Sequence, residues 1–353
     1  MNIREILIDA AAKKASDIFM VTGSSVAFKT DGNVVHMGDN ILTPKDTEEA
    51  VREIAGLAGL QAERLIDSRR EIDFSFSIAG TGRFRANIYR QRGSFSIVLR
   101  LVPFELPDSR ALGIPEEIMK LSEIKSGIVL VTGAAGNGKS TTLSCIVDKI
   151  NSEKSGHIIT IEDPIEFLHK HKKCIISQRE INIDTESYVD ALRSALRQSP
   201  NVILVGEMRD YETMNIAMTA AETGQLVLST LHTNGAANTI DRIIDVFPTN
   251  QQHQIRVQLS MVLRAVVTQQ LVPSKTGELV PAFEIMNVNN AIRTMIREQK
   301  THQIDTVLQS EAGMQTMDSS LLKLYKDNII TAETAVDYAY NQALMEKRVS
   351  DRR

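Results

Sequence analysis

The residues Gly133-Ala134-Ala135-Gly136-Asn137-Gly138-Lys139-Ser140 stand at the spacing G-x-x-x-x-G-K-[ST], and Thr141 follows. Glycines at those places let successive backbone N–H groups curl around phosphate oxygens at the positive end of a helix. The lysine reaches the β- and γ-phosphates, and the hydroxyl residue ligates Mg2+. The segment from Gly133 to Thr141 therefore predicts a nucleotide site, with ATP as substrate and Mg2+ as its companion ion.

A phosphate loop binds nucleotide, but hydrolysis also needs a metal-holding carboxylate and a group that orients water. Two acidic boxes follow. Val202-Ile203-Leu204-Val205-Gly206-Glu207 is an apolar run that ends on a carboxylate, and Ile161-Glu162-Asp163-Pro164-Ile165-Glu166 ends a second run, which Pro164 stops. Carboxylates at the ends of core strands open into the crevice where α/β sheets bind their ligands. Ser140, Glu207, Glu162 and Asp163 are the candidate metal residues. Glu166 is the candidate for orienting or deprotonating water, and Glu207 is the alternative for that role. A further apolar run, Leu226 to Leu231, ends on His232, which is placed to hydrogen-bond a phosphate.

These groups need a rigid sheet beneath them. The runs Gly127–Val131, Ile158–Ile161, Val202–Val205 and Leu226–Leu228 are continuous and rich in β-branched residues, as strands covered on both faces require. Between them, Val189, Leu192 and Leu196 fall at helical spacing, with Asp184 or Thr185 as the expected N-cap and Pro200 beyond the end. This alternation predicts a parallel α/β sheet wrapped by helices, followed after about residue 249 by a mostly helical tail.

Upstream, Ile72–Ile78 and Arg83–Ile88 alternate apolar and polar residues across the turn Ala79-Gly80-Thr81-Gly82, the pattern of an antiparallel hairpin. Ile3, Ile6, Leu7 and Ala10 give the N-terminus an amphipathic helix. Pro103, Pro107 and Pro115 then interrupt regular pairing. The expected organisation is an α+β domain over 1–100, a linker over 101–120 and an ATPase domain over 121–353.

At 353 residues the chain exceeds what one core ordinarily supports, above about 250–300 residues. A net charge of −4, 5% aromatic residues and no tryptophan disfavour a nucleic-acid motor built on the same core. Two cysteines, Cys145 and Cys174, are too few for a disulfide framework or a four-cysteine metal site. No apolar run approaches the roughly 18–20 residues of a membrane span, and a cytoplasmic protein is expected.

Taken together, GAAGNGKST, TIEDPIEF, VILVGEMRD and TGQLVLSTLHTN resemble the phosphate loop, Asp box, second Walker box and His box of the type II/type IV secretion and pilus ATPases, in family order. The likeness is to the PilT-type pilus-retraction ATPases in particular, because Ala291-Ile292-Arg293-Thr294-Met295-Ile296-Arg297-Glu298 is similar to their retraction signature with two substitutions, Thr294 and Met295. Phe19, Ser24-Ser25 and Ala134 depart from the family pattern. The resemblance implies an N-terminal PAS-like domain joined to a RecA-like domain, assembly into a homohexamer, and peripheral action at the cytoplasmic membrane through an inner-membrane pilus platform protein. It also implies that arginines of the N-terminal domain, here Arg83, Arg85 or Arg100, approach the phosphates, a task that the planar guanidinium suits. Assembly or secretion ATPases of the same superfamily are the nearest alternative. A nucleotide-binding regulator without appreciable turnover is another.

Overall fold

The computed structural model describes residues 2–30, 32–68, 71–102 and 106–350. Of the linker prolines, Pro103 lies outside the described residues. The chain forms two compact units, Met1–Glu105 with Glu166–Leu168, and Leu106–Ile165 with His169–Arg353.

The first unit runs α1 (Ile3–Ala12), β1 (Asp17–Val21), β2 (Ala27–Thr30), β3 (Asn33–His36), α2 (Pro44–Leu57), α3 (Ala62–Asp67), β4 (Ile72–Ile78), β5 (Gly82–Gln91) and β6 (Ser94–Val102). Its sheet is antiparallel throughout, in the order β3-β2-β1-β6-β5-β4. The alternation seen in the sequence sets its two faces. Phe84, Ala86 and Ile88 enter the core with Ile97 and Leu99, while Arg83 and Arg85 fall on the other face. The helices close over the apolar side. Ile3, Leu7 and Ala10 of α1 are buried, and α2 starts with a capping box between Thr43 and Asp46.

The second unit runs α4 (Glu116–Met119), β7 (Gly127–Thr132), α5 (Lys139–Glu153), β8 (Gly156–Glu162), β9 (Cys174–Glu180), α6 (Tyr188–Ala195), β10 (Val202–Val205), α7 (Tyr211–Glu222), β11 (Leu226–Leu231), α8 (Ala236–Asp245) and α9 (Gln252–Val262). It continues with β12 (Leu263–Pro273), β13 (Leu279–Asn287), α10 (Asn290–Arg297), α11 (Ile304–Ser310), α12 (Met317–Lys326), α13 (Ala332–Asp337) and α14 (Gln342–Ser350). The sheet order is β13-β12-β7-β11-β10-β8-β9, parallel except for β13. Successive strand residues feed opposite cores: Ile128, Leu130, Ile203 and Val205 pack on one side, Val129, Val131, Val202 and Leu204 on the other. Double coverage is why these runs read as continuous apolar stretches. This is the RecA-like α/β architecture, preceded by an α+β N-terminal domain.

Two local details differ from the expectations. The stretch after residue 249 is helical in most of its residues, but it also contributes the long strands β12 and β13 to the sheet. The N-cap of α6 is Ser187, whose hydroxyl accepts from Asp190 N; Asp184 instead accepts from Glu180 N, and Thr185 bridges Ile181. Helix α10 ends at Arg297, with Gln299 in the left-handed region and Lys300 beyond the helix. Both cysteines are buried thiols. Burial pushes the Cys145 thiol up to about 11, which marks it as a packing residue.

Candidate nucleotide-binding site

The parallel strands deliver the motifs side by side. β7 ends in the phosphate loop, β11 in His232, β10 in the Gly206-Glu207 turn and β8 in Glu162, and β7, β11, β10 and β8 are neighbours in that order. All four open at the carboxyl edge of the sheet.

Loop residues 134–136 are exposed, Asn137 and Gly138 are half-buried, and Lys139 is 7% exposed. Gly133 is required by close approach: a Cβ there would lie 2.3 Å from the backbone oxygen of Gln269, at a φ of +135°. Gly138, at φ +77°, begins α5 with no side-chain cap, and Ser140 and Thr141 stand half-buried in its first turn. A helix start of this kind attracts anions. The Lys139 ammonium donates to the carbonyls of Gly133 and Ala134, both at 2.8 Å. A buried cation needs such partners, and incoming phosphate oxygens would take their place.

A chain of polar contacts leads away from Lys139. Its Nζ stands 3.5 Å from Nδ1 of His232, whose Nε2 is 3.3 Å from Oε2 of Glu207; the same oxygen accepts from Nε of Arg209 at 2.7 Å. The neutral tautomer with hydrogen on Nε2 satisfies both sides of the imidazole. Hydrogen bonds to its neighbouring backbone fix the carboxylate between two strands. Gly206 N donates to Ile161 O at 2.8 Å, Thr230 Oγ1 donates to Gly206 O at 2.6 Å, and Met208 N donates to Thr230 O at 3.2 Å.

Tyr188, which sequence reasoning missed, sits beneath this turn, and a Cβ on Gly206 would meet its hydroxyl at 2.9 Å. Burial raises its phenol pKa, and the charges of Glu207, Asp163 and Glu162 raise it further. The charges of three sequence-predicted carboxylates therefore act on one neutral hydroxyl. Glu162 is itself engaged, accepting from Thr160 at 2.6 Å and Gln178 at 3.2 Å.

Gln269 of β12 was missed as well. Its side chain accepts from Thr142 at 2.7 Å, its carbonyl abuts Gly133, and two residues on Leu271 N donates to Asn137 at 3.3 Å. Beside Gly138 and Thr141 opens a cavity of about 820 Å3, walled by Leu112, Leu271, Pro281 and Phe283. A cavity of mixed polar and apolar lining that reaches the phosphate loop fits the base and sugar of a nucleotide.

The remaining candidates belong to the first unit. Arg83 and Arg85 lie on β5 and Arg100 on β6, with Arg85 and Arg100 paired across strands. Arg100 Nε donates to Asp17 at 3.0 Å. Exposed Glu166 also groups with this unit, while Glu207 and His232 belong to the second.

The donors present fit a Mg2+ that arrives with a nucleotide. Among the described residues no group of three or more His, Cys, Asp or Glu side chains forms a cage of its own. Mg2+ commonly rides on substrate phosphates with one or two protein ligands. Among the described residues both contacts of the Glu207 carboxylate fall on Oε2, so that Oε1 is available as an oxygen donor, and Ser140 supplies the hydroxyl of the loop.

The model of the type II/IV secretion system protein family matches residues 1–335. The chain is 42% identical to the type IV pilus retraction ATPase PilT of Pseudomonas aeruginosa, covering 96% of this chain and 98% of the relative. It is 43% identical to a twitching motility protein of Neisseria gonorrhoeae, covering 91% of this chain and 87% of the relative. Among solved structures, the pilus retraction motor PilT with bound ADP superposes with a TM-score of 0.89 at 45% identity, over 98% of this chain and 99% of that one. A match of that extent spans both units as well as every motif at the sheet edge, and the chain belongs to the type II/IV secretion system protein family.

Proposed function

We propose that this chain hydrolyses ATP at the site around Lys139 and uses the energy to retract type IV pili, and so drives twitching motility. The contact chain from Lys139 through His232 to Glu207 carries the reading, because it couples the phosphate-binding cation to a carboxylate at the edge of the same sheet. The full-length likeness to retraction motors supplies the direction of work.

In this reading Lys139 and the loop from Gly133 to Thr141 hold the phosphates, and the cavity beside Gly138 takes the nucleoside. Mg2+ bound with the nucleotide would neutralise phosphate charge, held by Ser140 and Glu207, with Glu162 and Asp163 as further candidates. Glu166 or Glu207 orients the attacking water and accepts its proton. His232 links the carboxylate to the phosphate-binding lysine. Charge that develops on the γ-phosphate is met by an arginine of the N-terminal unit, Arg83, Arg85 or Arg100. The working form is a homohexamer on the cytoplasmic side of the membrane, peripheral to it, acting through an inner-membrane platform protein; no nucleic acid takes part. No described helix is long and apolar enough to cross a membrane.

Deletion of the gene tests the reading. Surface filaments should accumulate and twitching should stop, and the wild-type gene, but not a Lys139→Ala copy, should restore both. Normal twitching in the deletion strain would overturn it.

A further inference from the structure

Glu284 is a carboxylate that the proposed ATP chemistry does not use. It lies within β13 and is 2% exposed. Its Oε1 accepts from the backbone N–H of Ala236 at 2.7 Å, and its Oε2 faces the backbone N–H of Met317 at 3.4 Å. Those are the first residues of α8 and α12. Helix α8 follows Gly235 and has no side-chain cap of its own, so Glu284 supplies from a distant strand the acceptor that an N-cap side chain ordinarily provides.

Each end of this bridge belongs to a different part of the second unit. On one side, the Thr233-Asn234-Gly235 turn carries the chain from His232 into α8. Thr233 and Thr239 share a hydrogen bond of 2.7 Å, and Thr239 donates to Gly235 O at 2.8 Å. Gly235 stands so close to the bridge that a Cβ on it would lie 3.9 Å from Glu284 Oε1 and 3.7 Å from the Tyr340 ring. On the other side, residues of β13 next to Glu284 are tied to α12 and its approach. Ile285 and Gln315 exchange backbone bonds of 2.9 and 3.1 Å, and Phe283 N donates to Ser320 at 3.0 Å. Asp318 of α12 then accepts from Tyr340 N and Asn341 N, which holds the entry to α14.

We propose that Glu284 is a positioning residue that locks the His232 turn to the C-terminal helices α12–α14, so that movement of those helices alters how His232 meets Glu207 and Lys139. The proposal rests on the reading of His232 as part of the ATP site. It makes the helical end of the second unit a lever on that site, through a single two-ended bond.

The bridge has a chemical signature. Burial pushes the Glu284 carboxyl up to about 7; Asp305 of α11 and Asp318 of α12 act in the same direction, and the two backbone donors oppose them. Tyr340, the other titratable group against it, is kept neutral by its own burial and by Glu284. The ionised carboxylate accepts with both oxygens, whereas the protonated acid keeps one full acceptor. The two-ended bond is therefore complete above the carboxyl's pKa and is lost at one end as pH falls through it.

Full-length wild type, Glu284→Gln and Glu284→Ala should be compared by hydrogen–deuterium exchange over 232–239 and 314–320, and by steady-state ATPase kinetics. At about pH 8 the glutamine variant should exchange about tenfold faster in at least one of the two segments, and the alanine variant in both. Its kcat should fall about fivefold with KM little changed, and its pH profile should lose the step near neutrality that the wild type shows. Glutamine keeps the shape, so it serves where alanine fails to fold. The proposal is overturned if Glu284→Gln matches wild-type kcat at about pH 8, or if faster exchange stays within 314–320 in both variants. Exchange in Lys139→Ala separates the two readings: an intact bridge there, with turnover undiminished, would fault the ATP-site assignment and leave the bridge standing.

Discussion

The hydroxyl of Thr142 donates to Oε1 of Gln269 at 2.7 Å, joining the helix that follows the phosphate loop to a strand far along the chain. Both atoms are buried, and the carbonyl of the same glutamine lies under Gly133. The loop is therefore shaped from beneath by β12 as well as by its own glycines. Gln269→Ala should leave the Thr142 hydroxyl buried without its partner, at a cost of about 1–3 kcal/mol. Thermal unfolding with and without nucleotide checks this, with weaker nucleotide binding expected alongside the lower Tm.

A graded glycine series follows from the same contacts. At Gly136 a Cβ meets nothing within 4 Å, so Gly136→Ala should cost only the roughly 1–2 kcal/mol of a left-handed alanine. At Gly138 it would meet the Gln269 side chain at 3.0 Å, which can give way. At Gly133 it would meet backbone oxygen at 2.3 Å, which cannot. Nucleotide affinity should fall in the order Gly136→Ala, Gly138→Ala, Gly133→Ala; an equal loss at all three would count against close approach as the cause.

The chemistry of the site was more legible in the sequence than its support. His232 follows its apolar run directly, Glu207 follows one residue after its run and Lys139 follows the phosphate loop after its own, so their convergence comes from the strand order of a parallel sheet. Gln269 and Glu284 gave no comparable signal. The segment Leu263–Pro273 follows α9 without a turn residue and carries two glutamines, and its role depends on contact with residues more than a hundred positions earlier. Tyr188 was hidden for a different reason. It looks like one more apolar residue of α6, and only the fold brings its hydroxyl against Gly206, next to Glu207. The N-cap of α6 was misread because Asp184, Thr185 and Ser187 all offer a suitable oxygen within a few residues.

Glu207→Gln and Glu166→Gln distinguish the two carboxylate roles. An amide keeps the shape but is a poor metal ligand and no base. Both variants should lose most turnover while still binding nucleotide. Activity partly restored by raised Mg2+ or by Mn2+ identifies the metal-holding residue, which the contacts of Glu207 with His232 and Arg209 favour for that position. Full activity in both variants would remove both assignments.

The α10 signature calls for surface variants. Ile292 and Ile296 are fully buried, and shortening either to alanine costs about 2–5 kcal/mol, enough to confuse lost coupling with lost fold. Arg293→Ala with Arg297→Ala spares that core. Burial and the nearby Arg293 charge lower the pKa of Arg264, so the double variant also relieves a repulsion. Purified protein should fold and hydrolyse ATP, while cells that carry it keep their pili extended. Normal retraction would make α10 a packing helix only.

The arginines of the first unit separate by their partners. Arg100 pairs with Asp17, whose side chain is 8% exposed, so Arg100→Ala strands a buried carboxylate and should lower stability whatever its role in catalysis. Adding Asp17→Asn removes that charge and isolates the catalytic effect. Arg83 and Arg85 stand on the face of β5 away from the core, where truncation spares the apolar packing of Phe84 and Ala86. An arginine that stabilises the γ-phosphate in the transition state is worth about 10³–10⁵ in rate, against about 0–1 kcal/mol for a surface ion pair. At least one of Arg83→Ala, Arg85→Ala and the Asp17→Asn, Arg100→Ala double variant should therefore keep its Tm and nucleotide affinity and lose about a thousandfold in kcat. Wild-type turnover in all three would transfer that charge to groups of the second unit, where Arg209 already stands beside Glu207.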